Sequence, residues 1–83
     1  MKAVQSKMAR AALGLGVREL AELAKVSPDT IARLERGEAL RDRTVDAIQR
    51  ALEAAGVEFT NGEQPGVRMR KGAPLKLEGL SKN

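Results

Sequence analysis

The sequence predicts a mainly α domain of four short helices followed by a C-terminal β-hairpin, and three observations carry that prediction. Apolar residues recur at helical spacing in four separate runs before residue 56. Gly14, Gly37 and Gly56 stand where three of those runs end, and Ser27-Pro28 opens the third. After Gly56 the period changes to strict alternation, which belongs to strands. With 83 residues there is room for one small core, and a domain of this size buries about 60% of its unfolded surface.

The first helix is expected over residues 3–13, with Val4, Met8, Ala11 and Ala12 as its apolar positions and Lys7 and Arg10 between them. Gly14 and Gly16 bracket Leu15 as a short connector. The run VRELAELA, residues 17–24, places Val17, Leu20, Ala21 and Ala24 on one face and leaves Arg18 and Glu22 outside. The third helix is announced by its own chemistry. Ser27 can accept from a free amide, Pro28 suits the first helical position, and Asp29 favours the positive end of the dipole. It runs over SPDTIARLER to Gly37, turning Ile31 and Leu34 inward and Asp29, Ala32, Arg33 and Arg36 outward. The link EALRDR leads to a fourth helix that starts near Asp42 or Thr44 and reaches Ala55, with Val45, Ile48, Ala51, Leu52 and Ala55 as its stripe. Val57 and Phe59, then Val67 and Met69, alternate with polar residues around NGEQPG, the pattern of a hairpin. The domain organisation read from this is a helical domain over 1–56, a hairpin over 57–70 that is a candidate dimerisation element, and a flexible tail over 71–83.

Composition excludes much chemistry. Cysteine and histidine are both absent, so neither a disulfide framework, a thiol or imidazole catalyst, nor an ordinary zinc or haem site is expected. No pair of the remaining carboxylates, serines and lysines has a spacing with a mechanism attached, so the chain is read as no enzyme, with no cofactor, metal or small-molecule ligand. Phe59 is the one aromatic residue, which argues against gripping single strands by base stacking. There is neither a bilayer-spanning run nor a continuous signal-peptide core, and the expected setting is cytoplasmic, with no membrane partner. Fifteen basic residues against 11 acidic ones give a net charge of +4 and suggest an anionic partner. That excess lies in residues 64–83, because residues 1–63 carry ten of each sign.

Helices over about 17–24 and 28–36, separated by three residues, have the geometry of a helix-turn-helix. The run LAELAKVSPDTIARLERGE resembles the phage-repressor-like (Cro/C1, XRE) family of DNA-binding domains, through Leu20-Ala21, Val26-Ser27, Ile31, Leu34, Glu35 and Gly37. The resemblance covers residues 3–55 and implies a prokaryotic or phage-type regulator that reads double-stranded DNA with its second motif helix in the major groove. It implies base reading by Pro28, Asp29, Thr30 and Arg33. Arg33 can bond guanine O6 and N7 together, and Asp29 can accept from cytosine. The competing reading of Asp29 and Arg33 is a surface ion pair four residues apart. Backbone contacts are expected from Arg18, Lys25, Ser27, Arg36, Arg41 and Arg43, although capping alone would account for Ser27. Relatives in this family often pair an arginine of the first helix with a glutamate late in the recognition helix. Arg10 and Glu35 occupy those places and are expected to form a structural ion pair. Two positions depart from the family pattern. Val17 stands where many relatives have a glutamine that touches DNA, and Lys25 stands where the turn commonly has glycine.

A single half-site reader of this size binds weakly, so a homodimer on an inverted repeat is expected. Val57, Phe59, Val67 and Met69 are the dimer-interface candidates, and the alternative is that they pack on the monomer core. Two other functions compete with a transcriptional regulator. One is an autoregulating antitoxin whose segment 57–83 binds a toxin as protein partner. The other is an architectural or protein-interaction module that keeps the fold without reading bases.

Overall fold

A computed structural model describes residues 1–70, so the expected tail over 71–83 lies outside the described residues. The elements are α1 (Ala3–Leu13), α2 (Val17–Ala24), α3 (Pro28–Glu35), α4 (Asp42–Ala54), β1 (Val57–Thr60) and β2 (Gly66–Met69). Four helices and a two-stranded antiparallel hairpin are thus present in the expected order.

The core is one cluster built from every helix and from β1. Leu20, Ile31, Ile48 and Leu52 are fully buried at its centre, with Ala9, Leu13, Ala21, Leu34 and Val57 around them. Ala21 of α2 is buried in the same cluster, and α2 packs against both α3 and α4. Because Val57 belongs to this cluster, the hairpin is continuous with the helical body. The cross-strand partners are Val57 with Met69, Glu58 with Arg68, Phe59 with Val67 and Thr60 with Gly66. The two apolar pairs therefore share one face of the ladder. Residues 61–65 close the hairpin as a five-residue loop, longer than the two-residue turn that Asn61-Gly62 could make alone.

The inward face of α1 is a correction. The periodic residues Val4, Met8, Ala11 and Ala12 are exposed, Val4 to 44% and Met8 to 40%. Gln5, Ser6, Ala9 and Leu13 are buried instead. Two polar residues face inward because both find partners there, and among the described residues no buried side-chain nitrogen or oxygen lacks a hydrogen bond. The Gln5 amide Nε2 donates to the carbonyls of Thr60 and Gly66, each at 3.0 Å, tying α1 across both strands at the loop end of the hairpin. Its Oε1 accepts from the Lys2 amide at 2.7 Å, which caps the first turn of α1.

Candidate nucleic-acid interface

The site is built around α3, and its start is set by three adjacent residues. Ser27 Oγ accepts from the Thr30 amide at 3.1 Å and lies 2.9 Å from Thr30 Oγ1, while Pro28 occupies the first turn. At the other end Gly37 adopts φ 86°, a left-handed conformation that glycine takes without Cβ strain. The reversal lets the Gly37 amide donate to the Leu34 carbonyl and the Glu38 amide donate to the Arg33 carbonyl, each at 3.0 Å.

Between these caps α3 turns Ile31, Leu34 and Glu35 into the protein. Pro28, Asp29 and Arg36 are exposed, and Thr30, Ala32 and Arg33 are half-buried. The turn between α2 and α3 places Lys25 at φ 60° and ψ 44°, the one positive φ outside glycine among the described residues. Its amide and that of Val26 close onto the Glu22 and Ala21 carbonyls at 3.3 and 3.0 Å. A lysine in that region carries roughly 1 kcal/mol of strain that glycine would not.

The back of α3 is fastened to α1 by a carboxylate network. Arg10 Nη2 and Nε donate to Glu35 Oε1 and Oε2 at 2.7 and 2.8 Å, a two-pronged pair, and Ser6 Oγ donates to Oε2 at 2.7 Å. Arg10 Nη1 also donates to the Leu15 carbonyl at 3.2 Å, holding the α1–α2 connector. The side chains are 22% and 7% exposed for Arg10 and Glu35. Burial pushes the Glu35 carboxyl up. The hydrogen bonds from Arg10 and Ser6, with the charges of Arg10 and Lys7, outweigh it and hold the group below its ordinary value. The bond to Glu35 raises the Arg10 guanidinium against the opposing effect of its burial.

On the outer face a second carboxylate, Glu38, engages the arginines of α3. Arg33 Nε donates to its Oε1 at 3.2 Å, and Arg36 Nε donates to its Oε2 at 2.9 Å. These bonds, that from Arg36 foremost, hold the Glu38 carboxyl below its ordinary value. Arg33 therefore pairs with Glu38, and the ion pair with Asp29 that the sequence also allowed is not among those of the described residues. Glu38 was missed in the sequence because its position beyond Gly37 reads as linker. The signal was there in the glycine, which folds the chain back over the last turn of α3.

The structure brings Thr30, Arg33 and Arg41 together with Thr44, Ala39 and Leu40 around a shallow hollow of about 250 Å³ between α3 and the start of α4. Arg43 is exposed on the first turn of α4, and Arg18 and Lys25 are exposed on and just after α2. Of the interface candidates, Val57 is corrected. It is 1% exposed and belongs to the monomer core, whereas Phe59, Val67 and Met69 are half-buried against that core and keep accessible surface.

Two adjoining helices, a three-residue turn closed on the first, and a capped second helix with a polar outer face are now in place. The sequence profile described as a helix-turn-helix domain matches residues 6–60, well over half of the chain. The chain belongs to the helix-turn-helix domain family. The match takes in α1 from Ser6 onward, all of α2, α3 and α4, and β1, so the helix-turn-helix domain includes the first hairpin strand. Domains of this family are DNA-binding regulators as a class. A comparison with curated proteins gives no match. No helix among the described residues is long and apolar enough to cross a membrane.

Proposed function

We propose that this helix-turn-helix domain is a sequence-specific regulator of the phage-repressor-like type that lays α3 in the major groove of an operator and acts as a two-fold dimer on an inverted repeat. One observation carries the reading: the outer face of α3 is polar and exposes Pro28, Asp29 and Arg36, while its inner face is held by the Ser6–Arg10–Glu35 network. A helix that is to read base edges must keep its orientation when its arginines meet the phosphates, and a two-pronged ion pair from a neighbouring helix supplies that rigidity.

In this reading Arg33 reads a guanine and Asp29, Thr30 and Pro28 set the neighbouring contacts. Arg36, Arg41, Arg43, Arg18 and Lys25 meet the backbone. The hollow beside α3 supports Arg41 as a partner of Arg33, because it opens between them. Ser27 keeps its oxygen for the Thr30 amide, and its hydroxyl proton can still serve a phosphate.

Selection of bound duplexes from a random pool, followed by footprinting of the winning site, tests the proposal. An inverted repeat with half-site centres one helical turn apart is expected. Arg33→Ala is expected to weaken the selected site by about 1–3 kcal/mol and to relax preference at one base pair per half-site. Binding that depends on salt but selects no discrete sequence would remove the operator-reading role.

A further inference from the structure

Glu38 does something to Arg33 and Arg36 that neither the cap nor the core requires. Its backbone is placed by the left-handed Gly37 and by its own amide bond to the Arg33 carbonyl. The side chain is thereby rooted at the end of α3, and each carboxylate oxygen takes one arginine: Oε1 lies 3.2 Å from Arg33 Nε, and Oε2 lies 2.7 Å from Arg36 Nη2. The side chains of Arg33, Arg36 and Glu38 are 43%, 58% and 44% exposed, and no other acid is paired with either arginine among the described residues. The last turn of α3 thus carries two cations on its outer side that share one anion.

We propose that Glu38 is a specificity-determining residue that draws Arg33 away from DNA phosphates and weakens, without preventing, the backbone contact of Arg36. The inference rests on the major-groove reading of α3. An exposed ion pair opens easily in water, so Glu38 does not lock the arginines away. Its effect appears in competition. Phosphates attract a guanidinium as a charge, and every duplex offers them. Taking Arg33 and Arg36 to phosphates leaves an unpaired carboxylate against the backbone, a repulsion that sequence cannot relieve. A guanine in register offers O6 and N7 to Arg33 as a fork, which replaces the lost hydrogen bond with a better-shaped one. Glu38 therefore weakens binding to all DNA, and weakens binding to wrong DNA more.

The test measures the affinity of the full chain for the selected duplex and a scrambled one by fluorescence anisotropy over a range of salt. Glu38→Gln, which keeps the shape and removes the charge, is compared with the parent, and Glu38→Ala serves as a second variant. Circular dichroism confirms that each is folded. Glu38→Gln is expected to tighten scrambled DNA roughly three- to tenfold, to tighten the selected site by less, and to steepen the salt slope for scrambled DNA by about one unit. Equal tightening on both duplexes would overturn the proposal, as would weaker binding to the selected site, which would make Glu38 an aid that presents Arg33. A parent chain with no preference between duplexes refutes the operator reading instead. A parent that discriminates, with variants that discriminate equally well, refutes Glu38 alone.

Discussion

Arg10 and Glu35 show how one buried pair sets the behaviour of a surface. Their hydrogen bonds hold α3 to α1 from behind, and the outward arginines inherit that orientation. Because the Glu35 carboxyl sits below its ordinary value of 4.5, the stability it contributes is fully present above that pH. That stability is lost as pH falls through the lower folded value. Removing Arg10 reverses the sign. In Arg10→Met burial is opposed only by Ser6 and the Lys7 charge, the carboxyl rises, and the folded state gains by taking up a proton. The variant is expected to lose about 3–5 kcal/mol at neutral pH and to recover part of it as pH falls toward the ordinary carboxylate value of 4.5, a range where the parent changes little. Thermal unfolding across pH checks this. An Arg10→Met protein whose deficit stays constant over that window would show that Glu35 keeps its charge without its partner.

At the scale of elements, α1 joins two things that would otherwise be separate. Consecutive residues on it face different neighbours: Gln5 binds both hairpin strands, and Ser6 binds α3 through Glu35. A two-stranded hairpin is marginal in water by itself, so its persistence depends on this attachment and on Val57 in the core. Gln5→Leu leaves the Thr60 and Gly66 carbonyls without their side-chain donor and is expected to cost about 1–3 kcal/mol. The loss should be local first. Amide hydrogen exchange is expected to speed up in β1 and β2 while α4 keeps most of its protection. Uniform acceleration throughout the domain would mean that the hairpin does not open ahead of the helices.

For the whole molecule, the open question in the sequence was whether the hairpin serves the monomer or a second copy. Val57 answers for the monomer, and Phe59, Val67 and Met69 pack against the core while keeping accessible surface. In the proposed dimer these three residues continue the apolar face across the two-fold axis, which sets the spacing of the two α3 helices and hence of the half-sites. Phe59→Asp is expected to halve the mass seen by light scattering while the helical circular dichroism is kept. It should also weaken the inverted repeat far more than a single half-site. Loss of the helical signal would assign Phe59 to the monomer core, and an unchanged mass would place the interface elsewhere.

The four helices, their order and the hairpin were legible in the sequence because their signals are local. Ser27-Pro28-Asp29 caps with neighbouring atoms, Gly37 reverses the chain by itself, and the alternation from Val57 to Phe59 needs only its own period. The Arg10–Glu35 partnership was legible only through resemblance, since no spacing rule joins residues 25 apart. The inward face of α1 was read wrongly for a related reason. Periodicity assigns polar residues to the outside, and Gln5 and Ser6 are inside because acceptors 55 and 29 positions away satisfy them. The sequence by itself determined which elements form and, to within a residue or two, where they lie, because caps and turns are made from adjacent atoms. Only the tertiary structure decided which polar side chains are buried and that Glu38 holds Arg33, because a hydrogen bond depends on where the folded chain brings its partner.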